Sequence, residues 1–140
     1  MSSTRIMGID YGHVRIGIAL SDPSHTIARP YKVIANSAHT FAEINKIIQK
    51  ESVCLIVLGL PLNLSGEYTQ KTREVQAFAD ILAQETSLPI ELLDERYTSA
   101  EAMDVARQYG MSERQARGKL DKIAAAIILS QFLKKQSKVE

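Results

Sequence analysis

Apolar positions fall in short unbroken blocks early in the chain and at helical spacing later. Residues 5–10, RIMGID, form an apolar run that ends on a carboxylate, Asp10. YGH breaks the run. Residues 14–20, VRIGIAL, form a second one, rich in β-branched side chains and close enough for a hairpin. Residues 26–34, TIARPYKVI, predict a third strand, which Pro30 confines to an edge or bends. Phe41, Ile44, Ile47 and Ile48 recur at helical spacing over residues 39–51. Residues 53–58, VCLIVL, are apolar throughout, as a strand covered on both faces would be. A polar loop with Gly59, Pro61 and Gly66 follows. Residues 69–86 place Val75, Phe78, Ala79 and Leu82 on one helical face, and after Pro89 the stretch PIELLDE predicts another strand. Thr98 with Glu101 is a capping-box pattern that starts a helix, and Ser112 with Gln115 repeats it after Gly110. The last helix is predicted from Lys119 to Leu133.

The order β-β-β-α-β-α-β-α-α indicates an α/β protein with a mixed sheet and helices on its faces. The 140 residues suit one domain over 1–140, with a polar tail, 134–140, expected to fray. At 45% hydrophobic and 24% charged, the chain can build a core. A net charge of +1 leaves any basic surface to be local. Cys54 is the only cysteine, which excludes an intrachain disulfide and a cysteine zinc cluster and fits a reducing compartment. MSSTRIMGID lacks the apolar core of a secretion signal, and no apolar run approaches the roughly 20 residues of a membrane span. The expectation is a cytoplasmic protein with no membrane partner.

Carboxylates stand at three borders of apolar sequence. Asp10 ends the first strand, Asp94 and Glu95 end the strand after Pro89, and Asp121 sits among Leu120, Ile123 and Ala124. A carboxylate in such a place is costly unless paired, hydrogen-bonded or bound to metal. Three of them converging on one sheet edge would repel, and a divalent cation would relieve the repulsion. Oxygen-only ligands favour Mg²⁺ or Mn²⁺, ions that serve phosphodiester hydrolysis. Pattern alone does not separate Asp94 from Glu95, since successive strand residues face opposite sides. The plainer reading is that strand ends carry acids and that Asp121 complements a helix dipole.

The sequence resembles the YqgF/RuvX family in four ordered stretches: GIDYGHVRIGIALSD, LGLPLNLSG, DERYTS and KLDKIAAAIIL. The resemblance covers nearly the whole chain. It implies an RNase H-like fold with a five-stranded mixed sheet flanked by helices, and metal-dependent phosphodiester hydrolysis. It also chooses Glu95 over Asp94, so that Asp10, Glu95 and Asp121 become the implied catalytic and metal-binding set. It points to structured RNA, specifically the 5′ end of the 16S ribosomal RNA precursor. Departures are small. His13 and Val14 differ from the common pattern, EYTQKTR lacks an extra glycine and proline, and Tyr97 and Ser99 replace leucine and threonine. None touches the acids.

Other residues support a nucleic-acid partner. Arg15 could bind phosphate or pair with Asp22 across the second strand. Asn63 and Ser65 offer hydrogen bonds in a loop at a strand's carboxyl edge, where ligands of open sheets gather. Residues 107–122 carry Arg107, Arg114, Arg117, Lys119 and Lys122 against Glu113 and Asp121, a local excess of +3. Such side chains would position a nucleic-acid backbone, although a solvated charged face is the ordinary alternative. Gly110 and Gly118 suggest a mobile connection there, and Gly12 a tight turn with positive φ. Aromatic residues are sparse, so base stacking is not expected. His13, His25 and His39 show no metal-ligand spacing.

The resulting expectation is a nuclease acting on structured RNA. One rival is a Holliday junction resolvase for branched DNA, which would act as a homodimer with two sites. Another is a non-catalytic nucleic-acid-binding module. An actin-like ATPase would need a second lobe that 140 residues cannot supply.

Overall fold

The computed structural model describes residues 4–94 and 113–137, the last helix with its side chains from Lys122 to Gln136. Its strands are β1 (Arg5–Asp10), β2 (Arg15–Ser21), β3 (Ala28–Ala35), β4 (Val53–Leu60) and β5 (Ile90–Asp94). Helix α1 spans Thr40–Glu51, α2 spans Gln70–Thr86 and α3 spans Glu113–Ser137. The strands form one mixed sheet in the order β3-β2-β1-β4-β5. β2 runs antiparallel to β1 and β3, while β4 lies parallel to β1 and β5 parallel to β4. The carboxyl ends of β1, β4 and β5 and the amino end of β2 therefore share one edge.

Alternation along the strands divides the core into two layers. Met7, Ile9, Ile16, Ile18, Ile56 and Leu58 pack with Ile44 and Ile47 of α1 and with Val75, Phe78 and Leu82 of α2. Ile6, Ala19, Val57 and Leu93 pack on the other face with Ala125, Ile128, Leu129 and Leu133 of α3. Each large side chain buried in these layers contributes about 1.5–3 kcal/mol. Two local devices fix α2. Thr69 and Thr72 form a reciprocal capping box, and the Thr72 hydroxyl also donates to the Pro61 carbonyl, tying the helix start to the loop after β4.

The structure corrects four expectations. β3 begins at Ala28 rather than at Thr26, because the Asp22 carboxylate holds Thr26 and Ile27 in the preceding turn. Gly118 lies inside α3, so the segment from Glu113 onward is one helix and not a glycine-hinged connection. That helix runs past Leu133 to Ser137, with Lys134 and Lys135 in its last turn, where positive charge complements the carbonyl end. Gly12 has no positive φ; a Cβ there would stand 2.5 Å from the carbonyl oxygen of Arg15, so crowding requires the glycine. The Thr98–Glu101 helix start and Gly110 lie outside the described residues.

Candidate nuclease site

Asp10 is the last residue of β1 and is half-buried. It pairs with Gly17 of β2, as Gly8 pairs with Ala19. Ala19 packs under α3, so Gly8 and Asp10, two residues apart on one strand, share the α3 face. Arg15, exposed at the amino end of β2, lies two residues before Gly17 and shares this face and edge. Asp22 follows the other end of β2, which excludes the Arg15–Asp22 pair. The Asp22 carboxylate instead accepts from the Thr26 backbone at 2.7 Å, the Thr26 hydroxyl at 2.7 Å and the Ile27 backbone at 2.8 Å. These three donors, led by Ile27, hold its carboxyl well below the usual carboxylate range.

Helix α3 crosses β1 at close range. A Cβ built on Gly8 would lie 2.8 Å from the Ala125 carbonyl oxygen. Position 121 is one helical turn before Ala125, on the stripe through positions 114, 117 and 125. Position 119 falls on the other side of the helix, so register separates Lys119 from Arg114 and Arg117. The side chains of Arg114, Arg117, Lys119 and Asp121 lie outside the described residues, as does Glu95 entirely.

β5 bears on the choice between Asp94 and Glu95. Leu93 is buried against α3, so alternation sets Asp94, opposite Leu60, on the α1/α2 face. Asp94 is therefore not on the face of Asp10. Among the described residues no three His, Cys, Asp or Glu side chains gather as a metal site, and of the implied trio only the Asp10 side chain is described.

Asn63 has a structural duty. Its Oδ1 accepts from Ser65 N at 3.0 Å and Glu67 N at 2.8 Å, while Leu62 bridges Tyr68 across the loop. Among the described residues these contacts leave the Asn63 amide nitrogen as its donor toward a ligand.

Sequence reasoning missed a cleft of about 330 Å³ at the same edge, on the α1/α2 face. Tyr11 packs on Phe78 with ring centroids 4.6 Å apart, and Phe41 stacks on Phe78 at 5.5 Å. Few aromatics are present, but the fold gathers two of the three phenylalanines beside the residue that follows Asp10. The apolar stripes of both helices held the signal, since each carries one of these rings toward the sheet.

Among the described residues no helix is long and apolar enough to cross a membrane. Among solved structures, the chain is similar to "T. thermophilus RuvC in complex with Holliday junction substrate", with a TM-score of 0.58, 14% identity and 96% of each chain covered. It is also similar to the Fowlpox virus resolvase in complex with Holliday junction DNA, with a TM-score of 0.57, 13% identity, and 96% of this chain and 99% of that one covered. These likenesses concern the fold, which is RNase H-like. Among curated proteins, a "Putative pre-16S rRNA nuclease" of Maridesulfovibrio salexigens is 43% identical over 131 residues, covering 92% of this chain and 97% of that protein. One of the same name from Anaeromyxobacter sp. is 40% identical over 131 residues, covering 92% and 96%. The family described as "RuvX: Holliday junction resolvase" matches residues 4–135, and the chain belongs to that family.

Proposed function

We propose that the protein is a metal-dependent nuclease that hydrolyses phosphodiester bonds in structured RNA, with the 5′ end of the 16S ribosomal RNA precursor as its substrate. The observation that carries the reading is the face shared by Asp10 and Gly8, against which α3 brings position 121 to within one turn of the crossing. The family membership and the relatives' name support the reaction and the substrate class. The cytoplasm is the compartment this reading requires.

Asp10, Glu95 and Asp121 offer oxygen donors only, a set suited to Mg²⁺ or Mn²⁺. Half-burial of Asp10 at a strand end fits such a role, since a carboxylate withdrawn from water gains from a cation. When bound, the ion supplies charge neutralisation and Lewis acidity at the phosphodiester. The chain's own residues do the rest. Arg15 orients the phosphate from the same face. Arg114 and Arg117, on the stripe of position 121, hold the flanking backbone. Lys119 and the Asn63 amide serve the strand farther from the cleaved bond. A carboxylate of the trio takes the proton of the attacking water as the new P–O bond forms and the ester P–O bond breaks, and the leaving oxygen takes a proton from solvent to become a hydroxyl.

The family's printed description favours a second reading, resolution of Holliday junctions, with the same chemistry on branched DNA. It requires a homodimer that presents two sites. Cleavage of a 16S precursor RNA and of a four-way DNA junction, assayed side by side with Mg²⁺, separates the two. Cleavage of the RNA at its 5′ extension is expected. Symmetric nicking of the junction with the RNA left intact would overturn the RNA reading.

A further inference from the structure

We propose that the cleft beside Tyr11 is a nucleobase subsite that takes an unpaired guanine from the strand whose phosphate lies at the Asp10 edge. The proposal rests on the nuclease reading for its neighbour, and on the cleft's own chemistry for its occupant.

Size and lining come first. The cleft of about 330 Å³ is bounded by Tyr11, Phe41, Phe78, Glu74, Asn36 and Ile81. Tyr11 and Phe41 are partly buried and pack on the buried Phe78, with interplanar angles of 44° and 23°, and they are the rings that a ligand in the cleft would meet. Ile81 is 46% exposed at the rim and adds apolar surface there. A planar, partly polar ring is the ligand that matches aromatic walls of this kind.

Polarity then selects the ring. Glu74 Oε2 is buried, and among the described residues its one polar neighbour is Nε2 of the exposed His13, 2.9 Å away. Among the described residues Glu74 Oε1 meets the exposed Gln70 amide alone, at 3.5 Å. Both neighbours are surface side chains and can be displaced. A carboxylate only accepts, and two oxygens side by side ask for two adjacent N–H donors. Guanine presents such a pair on one edge, from its ring N–H and its amino group. Adenine and cytosine put an acceptor nitrogen beside the amino group, and uracil flanks its single N–H with carbonyls.

Position links the cleft to the phosphate. Tyr11 follows Asp10, with Cα atoms about 3.8 Å apart. Asp10 lies on the α3 face, whereas Tyr11 packs into the α1/α2 layer. A strand crossing this edge meets acid on one side and aromatic surface on the other. Asn36 fixes the geometry by donating from Nδ2 to the Gly12 carbonyl at 2.8 Å.

The test is a methyl and aromatic NMR titration of the full chain without Mg²⁺, using GMP, AMP and ribose 5-phosphate. GMP should shift Ile81, Ala77 and the Tyr11 ring, AMP should bind about tenfold more weakly, and ribose 5-phosphate should leave these signals unmoved. Glu74→Gln should level GMP with AMP, and Tyr11→Leu should weaken GMP about tenfold, within the range of one stacked base. Equal shifts with ribose 5-phosphate, GMP shifts elsewhere, or an unchanged preference in Glu74→Gln would overturn the subsite while leaving the nuclease reading intact. GMP binding in a protein that cleaves no nucleic acid would overturn its placement beside a cleaved phosphate.

Discussion

Gly8 and Ala125 meet where α3 crosses β1: a Cβ on Gly8 would stand 2.8 Å from the Ala125 carbonyl oxygen and 2.8 Å from Leu129 Cβ. Both obstacles belong to a packed helix and neither is the flexible end of a long side chain. Gly8→Ala must push α3 away from β1 and carry position 121 with it. We expect a loss of about 1–3 kcal/mol, the usual cost of overpacking. Urea unfolding measures it. A variant as stable as wild type would mean that α3 yields without cost.

Much of this arrangement was legible beforehand. The apolar run RIMGID and the unbroken apolar VCLIVL correspond to strands paired side by side and covered on both faces. The α1 and α2 stripes carried their helices to within a residue or so of their observed ends. The requirement for Gly12 was not legible as crowding, because the Arg15 carbonyl reaches it only once the hairpin has closed. The helical stripes put Phe41 and Phe78 on the sheet side of their helices, but not beside Tyr11. Tyr11 in the loop after β1, Phe41 in α1 and Phe78 in α2 are far apart in sequence, and the fold brings them together. The preference for Glu95 over Asp94 came from family resemblance. The burial of Leu93 against α3 adds a physical argument, since alternation turns Asp94 to the other face.

Acid titration should expose the role of Asp22. Its carboxyl is held below the ordinary 3.8 by the donors from Ile27 and Thr26. A depressed folded value stabilises the fold above the unfolded value, and that contribution is lost as pH falls below 3.8 toward the folded one. Asp22→Asn should therefore melt below wild type at pH 7, with the gap narrowing in acid. A gap that stays constant between pH 7 and pH 2 would show that the charge is not what matters.

The basic start of α3 makes a separate prediction. Replacing Arg114 and Arg117 with Ala should weaken RNA binding at every sequence tested. Each lost phosphate contact should lower the slope of log affinity against log salt by about 1. Lys119→Ala, off the stripe shared by positions 114, 117 and 121, should change the slope less. Filter binding at several salt concentrations reads this directly, and equal slopes in all proteins would return the segment to a solvated face.

Asp10 tests the link between metal and stability. Clustered carboxylates repel without a cation, so metal-free Asp10→Asn should be as stable as wild type or more so. Mg²⁺ at about 100 times its Kd should stabilise wild type by roughly 2.7 kcal/mol, and the variant less. Paired melting curves decide it. Equal Mg²⁺ shifts would remove Asp10 from the ligand set.

Cleavage by single-carboxylate variants bears most directly on the site. A labelled 16S precursor RNA, Mg²⁺ and four purified proteins suffice: wild type, Asp10→Asn, Glu95→Gln and Asp121→Asn. Wild type should cut the RNA, and each variant, folded by its circular dichroism, should lose nearly all of that activity. Wild-type rates in any one of the three, with contaminating nuclease excluded, would contradict the assignment of that carboxylate and the three-acid site with it.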